Sequence, residues 1–216
     1  MIIGGVDSRH PFHYITAPNL GRRGSFNGGM EMNADIRQEL QRHLLDYALR
    51  FGDFTLTSGR KSDYYIDGRQ TTLHARGVFL AAKLLLAELK LIAVEAIGGP
   101  MLGADPVIGA VLALAALENL PLVGFIVRKE PKRHGTQQLI EGPLQPGMRV
   151  AVFDDTVTTG GSLKHAIAQV EASQCSVVKV FAIVDRLEGA QQSFAQWGYP
   201  FQAFFTIDEL KAARHV

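Results

Sequence analysis

Apolar residues first recur with a regular period at Ile36, Leu40, Leu44, Leu45 and Ala48, the spacing of one helix face, with Asn33 or Asp35 available to cap its start. This predicts an amphipathic helix ending near Phe51 and Gly52. The period then shortens to two. Phe54-Thr55-Leu56 and Tyr64-Tyr65-Ile66-Asp67, separated by the turn-forming Ser58-Gly59-Arg60-Lys61-Ser62, predict an antiparallel strand pair. Beyond them, strand-length and helix-length apolar segments alternate. Helices are predicted over 73–89, 104–117 and 162–172, and strands over 93–97 (running into Gly98-Gly99-Pro100), 122–127, 150–153 and 177–184, with a last short segment over 204–207. Wholly apolar strands between full-length helices are the pattern of a parallel sheet covered on both faces and joined by right-handed crossovers. The expected fold class is α/β: a parallel sheet flanked by helices, with a small N-terminal subdomain and with ligands at the carboxyl ends of the strands.

Residues 1–33 show no sustained period and carry repeated glycines (Gly4, Gly5, Gly21, Gly24, Gly28, Gly29), which predicts a poorly ordered arm. They lack the uninterrupted apolar core of a secretory signal, and Arg9, Arg22, Arg23 and the serines make only a weak transit-peptide pattern. Met30 and Met32, just ahead of the first helix, fit an upstream translation start better. The remainder, 34–216, is expected to form one domain, with the N-terminal subdomain over about 34–70 and the core over about 71–210.

Composition narrows the classes. A chain of 216 residues, 47% hydrophobic and 20% charged, can close one sizeable core. A net charge of +1 argues against a protein that holds nucleic acid by neutralising phosphates, but leaves room for a small anion bound by a local cluster. The single cysteine, Cys175, excludes an intrachain disulfide and a cysteine zinc cage and fits a reducing compartment. No apolar run approaches the roughly 20 residues that cross a bilayer, so a cytoplasmic protein is expected. His10, His13, His43, His74, His165 and His215 are scattered and default to packing or surface roles.

The most informative segment is Arg149-Val-Ala-Val-Phe-Asp-Asp-Thr-Val-Thr-Thr-Gly-Gly-Ser162, an apolar strand that runs into two acids and then a turn opening a helix. Gly160 and Gly161 let backbone approach a ligand closely, Thr158, Thr159 and Ser162 offer hydroxyls, and the first N–H groups of the helix form an anion site. Asp154 and Asp155 cannot favour bare phosphate; they suit sugar hydroxyls, a magnesium ion or a positive charge developing on the ligand. Phosphate beside polyol describes a ribose 5-phosphate. A plain turn with capping aspartates would need only one acid, a receiver-type magnesium pocket would not need the glycines, and a Walker loop would need a lysine after them. The segment over 150–162 resembles the phosphoribosyl pyrophosphate signature of the type I phosphoribosyltransferases. That resemblance implies their fold, with the N-terminal subdomain as a hood. It also implies that Asp154 and Asp155 hold the ribose hydroxyls while the run Thr156, Val157, Thr158, Thr159, Gly160, Gly161 and Ser162 cradles the donor and its 5-phosphate.

Two further motifs point to one branch. Arg128-Lys-Glu-Pro-Lys-Arg-His-Gly135 packs four basic residues and a histidine against one acid and reads as a basic lid that closes over a multiply charged anion. It resembles the catalytic loop of orotate phosphoribosyltransferases, which implies that Arg128, Lys129, Lys132 and His134 grip the pyrophosphate and that Lys132 is the main catalytic residue. The same resemblance implies a homodimer in which each loop reaches the neighbouring active site. Phe54-Thr-Leu-Thr-Ser-Gly-Arg-Lys-Ser-Asp-Tyr-Tyr-Ile-Asp-Gly-Arg69 is similar to that family's hood; adjacent tyrosines in a strand face opposite ways, so one packs inward and the other covers a planar ligand. By resemblance Tyr64, Tyr65, Thr158 and Arg186 contact orotate, Arg186 through a forked pair with its carboxylate. Asp185 is the alternative partner for Arg186. The segment over 98–106 resembles the pyrophosphate-binding turn, and Thr57 and Leu102 stand where some members have lysine. Magnesium is the implied cofactor, carried mainly by the donor, with no direct protein ligand. The rival readings are a phosphoribosyltransferase for another base and a non-catalytic sensor of phosphoribosyl pyrophosphate.

Overall fold

The computed structural model describes residues 27–55, 59, 61–130 and 139–214, with side chains from Asn33 onward. Helix α1 (Asn27–His43) begins before the Asn33 or Asp35 start read from the periodicity, and its predicted apolar stripe buries Leu40 completely. A π-helical turn, Leu44–Ala48, carries that stripe one step further through Leu44 and Ala48. The chain then extends. Strand β1 (Leu49–Thr55) starts where the helix was expected to continue to Phe51, because Leu49, Arg50 and Phe51 pair with Ile66, Tyr65 and Tyr64 of β2 (Lys61–Ile66). Tertiary pairing thus overrides the local helical period. The two antiparallel strands form the small N-terminal subdomain.

A short helix α2 (Arg69–Thr72) and α3 (Ala75–Leu89) lead into the core. There follow β3 (Ala96–Pro100), α4 (Asp105–Leu117), β4 (Val123–Val127), β5 (Ile140–Glu141), β6 (Arg149–Val157), α5 (Gly161–Ala172), β7 (Ser176–Asp185), α6 (Ala190–Trp197), β8 (Phe201–Thr206) and α7 (Ile207–Ala213). The six-stranded sheet has the order β5-β4-β3-β6-β7-β8, and its pairs are parallel except for the edge strand β5 against β4. The α/β class read from the sequence is therefore present, with an antiparallel edge added.

Side chains of β6 alternate between two cores. Ala151 and Phe153 pack with Leu40, Leu80, Leu85 and Phe181 under α1, α3 and α4, whereas Val150 and Val152 pack with Leu163, Ile167 and Phe194 under α5 and α6. Gly98 and Gly99, which look like strand terminators, lie inside β3. A side chain on Gly98 would run into Phe125, and one on Gly99 into the Phe153 carbonyl, so only glycine lets the neighbouring strands approach. Chain order reverses between β3 and β6, the position where open parallel sheets hold ligands.

Candidate active site

The ladder from β3 to β6 stops at Gly98 and Val152, whereas the ladder from β7 to β6 runs on to Val157 and Asp185. Asp154 and Asp155 therefore lie within β6, not just beyond its end as the sequence implied, held on one side by β7. On the other side opens a cavity of about 690 Å³, lined by hood, core and lid residues. The hood contributes Tyr65 to Arg69, the turn after β3 contributes Met101, Leu102 and Gly103, the start of the lid contributes Arg128 to Glu130, and β6 and α5 contribute Asp154, Asp155, Thr156 and Ser162.

Asp154 accepts a hydrogen bond from the Asp155 amide (3.0 Å), and Asp155 accepts from the Thr156 amide (2.7 Å) and hydroxyl (3.3 Å). Burial, reinforced by the neighbouring Asp155 carboxylate, holds the Asp154 carboxyl well above the ordinary carboxylate range. Burial also raises Asp155, against the opposing effect of the Thr156 bonds. Two glycines from distant segments press on this pair. An added Cβ would stand 2.5 Å from Asp155 Oδ2 at Gly68, and 2.5 Å from Asp154 Oδ1 and 2.6 Å from Asp155 Oδ1 at Gly103. Hood and post-β3 turn thus both close directly on the acids.

After β6, Gly160 takes a left-handed conformation (φ 88°) to start α5, and a side chain there would press on the Phe194 ring at 3.0 Å. The first amides of α5 are the donors that a helix leaves without intrahelical partners. Ser162 reaches the cavity wall; Val157 is buried, and Thr158, Thr159, Gly160 and Gly161 form the turn beside it.

Arg128 and Lys129 also line the cavity. The Arg128 amide donates to Leu139 O (2.8 Å) across the base of the lid, and its guanidinium lies 3.6 Å from Glu141. Lys132 and His134 fall in the segment 131–138, outside the described residues, as does Thr57.

The adjacent tyrosines separate as strand geometry requires: Tyr64 is 8% exposed, while Tyr65 is 42% exposed, lines the cavity and meets the Phe54 ring at 5.7 Å. Tyr64 instead receives a bond from Arg186 Nε (3.4 Å). Arg186 sits at the carboxyl end of β7, its amide donating to Val157 O (2.9 Å). Its guanidinium pairs with Glu188 at 3.1 Å. Asp185, the partner that adjacency suggested, turns to the Leu187 amide (2.8 Å), and burial raises its carboxyl. Neither Tyr64 nor Arg186 is on the wall of the cavity.

Sequence reasoning passed over Asp67, Gly68 and Arg69, which end the hood motif and line the cavity. A strand running directly into acid, glycine and arginine was the available signal.

A crevice at the sheet's switch point, roofed by a two-stranded hood and floored by paired acids, defines the class: this is the type I phosphoribosyltransferase fold. The orotate phosphoribosyltransferase of Synechocystis sp. is 44% identical over 179 residues, 82% of this chain and 90% of that one. That of Thermosynechococcus vestitus is 45% identical over 183 residues, 84% and 96% of the two chains. The solved orotate phosphoribosyltransferase of Mycobacterium tuberculosis, in complex with 5-phospho-α-D-ribosyl 1-diphosphate, matches with a TM-score of 0.69 at 33% identity, covering 82% of this chain and 99% of that one. No protein-family model matches the chain. The chain belongs to the orotate phosphoribosyltransferase family and is an enzyme of the glycosyltransferase type.

Proposed function

We propose that this cavity joins orotate to the ribose 5-phosphate of phosphoribosyl pyrophosphate, giving orotidine 5'-monophosphate and pyrophosphate, a step of de novo pyrimidine synthesis. The observation that carries this reading is the one-sided end of β6, which presents two acids to a cavity beside the amino end of α5. N1 of orotate bonds to the anomeric carbon as the bond from that carbon to the pyrophosphate oxygen breaks, and the N1 proton is released. Positive charge develops on the ribose in between. Asp154 and Asp155 are placed to hold the ribose hydroxyls and to favour that charge, and the turn from Thr156 to Ser162 to hold the 5-phosphate. Tyr65 would cover the pyrimidine; the resemblance also gives orotate contacts to Tyr64, Thr158 and Arg186, which stand off the cavity wall, so Arg186 would have to leave Glu188 to meet the orotate carboxylate.

Asp154 and Asp155 are hard oxygen donors of the kind magnesium takes. On the family resemblance the ion would come mainly with the donor, where it would neutralise charge on the leaving group. Arg128, Lys129, Lys132 and His134 would grip that same group from the lid. A charged donor in a closed site is worth about two to three orders of magnitude in turnover, so Lys132→Ala is expected to lose that much while keeping the fold. Near-full turnover would remove Lys132 from the mechanism.

On the same reading the enzyme is a cytoplasmic homodimer that shares its sites across the interface. The lid's resemblance supports the shared sites, and the large exposed side chains of Tyr47, Leu73 and Phe79 along the first helices give apolar surface for an interface. Among the described residues no helix is long and apolar enough to cross a membrane. The phosphoribosyltransferase domain would include the whole of α1, so the boundary expected between 33 and 34 falls inside that helix, and residues 1–26 lie outside the described residues.

A further inference from the structure

Among the described residues the cavity wall carries four carboxylates, Asp67, Glu130, Asp154 and Asp155, and three cations, Arg69, Arg128 and Lys129. A donor with a diphosphate group needs cations. Two of the three stand at the root of the lid, but Arg69 belongs to the hood side and is fixed there: Asp67 accepts from its Nε at 2.9 Å, its NH2 at 3.3 Å and its backbone amide at 3.2 Å. That fork uses Nε and one hydrogen of NH2. A guanidinium has five N–H donors, so NH1 and the second hydrogen of NH2 remain, and they meet no partner among the described residues. The Arg69 side chain, on the cavity wall, is 53% exposed, whereas the Asp67 that anchors it is 17% exposed. Gly68, next to Arg69, abuts the Asp155 carboxylate, so the guanidinium is tied to the backbone nearest the proposed ribose-hydroxyl site.

We propose that Arg69 is a substrate-binding residue that holds the diphosphate group of the phosphoribosyl donor, an inference that rests on reading the cavity as a phosphoribosyl-transfer site. Its remaining donors suit the diphosphate, which is the most highly charged part of either substrate. Arg69 has its orientation set by Asp67 before the donor arrives, which lowers the ordering cost of binding.

The test compares Arg69→Gln and Arg69→Lys with the unaltered full chain. It reads KM for the donor, KM for orotate and, by calorimetric titration, the affinity for inorganic pyrophosphate with magnesium. Arg69→Gln is expected to weaken pyrophosphate binding and raise donor KM about tenfold to a hundredfold, the loss of charge-assisted hydrogen bonds, while orotate KM stays within about twofold. Arg69→Lys, which keeps the charge without the fork, is expected to recover part of the loss. A folded Arg69→Gln variant with unchanged pyrophosphate affinity, or with a defect confined to orotate, overturns the proposal. Should Arg69→Gln fail to fold, Arg69→Lys decides alone, since a donor KM equal to that of the unaltered protein would also overturn it. An unaltered protein that consumes no orotate would count against the transfer reaction itself, whereas the titration would still report whether Arg69 holds pyrophosphate.

Discussion

Asp154 is a carboxyl that its surroundings keep protonated to higher pH than water would, through burial first and the Asp155 charge second. A carboxyl whose folded-state affinity for the proton is raised favours the folded state at low pH, and that contribution is lost as pH rises through the folded pKa. Asp154→Asn is therefore expected to be more stable than the unaltered protein at neutral and alkaline pH, with a gap that closes in acid, while losing about a hundredfold or more in turnover. Melting temperatures of both proteins across the pH range check this, and a gap that does not vary with pH would contradict it. Gly103→Ala acts through the same pair, because its Cβ must displace carboxylate oxygens now 2.5 and 2.6 Å from its ideal position. Misplacement of that order is expected to cost about a hundredfold in kcat. Steady-state rates beside melting curves would separate this from a loss of fold. The acids themselves were legible in the sequence as a doublet after an apolar run. Gly68 and Gly103 were not, since what demands them is a contact with carboxylates far along the chain. The Glu188 partner of Arg186 was likewise hidden, because adjacency favours Asp185 and only the turn at Leu187 shows which acid faces the guanidinium.

At the scale of elements, α5 depends on a glycine that no other residue replaces without strain. Gly160→Ala would force a side chain into a left-handed backbone and against the Phe194 ring. A loss of about 1 kcal/mol or more in urea unfolding is expected, together with a higher KM for the donor, whose 5-phosphate the start of α5 would hold. An unaffected unfolding midpoint would mean that α5 starts elsewhere. The periodic elements, α3, α4, α5, β4 and β7, were legible because each buries a continuous face. Helix α6 was missed because only Ala190 and Phe194 are buried along its eight residues, too sparse a stripe to register. Helix α7 carries a readable start, the capping box of Thr206 and Glu209, but it follows β8 without a break and its first apolar residue, Ile207, reads as part of the strand. Strand β6 outran its expected end because pairing with β7 continues through the acids, which polarity alone marks as a loop.

At the scale of the whole molecule, the proposed sharing of sites between two subunits would carry a consequence that a monomer cannot reproduce. Lys132→Ala and Asp154→Asn, each nearly inactive alone, are expected to regain activity when mixed and allowed to exchange subunits, because one site of the mixed dimer then holds both native groups. Persistent inactivity in a mixture shown by sedimentation to be dimeric would mean that each lid serves its own subunit. The transfer reaction itself is tested most directly by following the absorbance of orotate when the purified protein is given phosphoribosyl pyrophosphate and magnesium, with adenine, guanine and uracil as parallel acceptors. The expected result is magnesium-dependent loss of orotate alone; a folded protein that binds the donor yet leaves orotate unconsumed, or turns over another base instead, would contradict it.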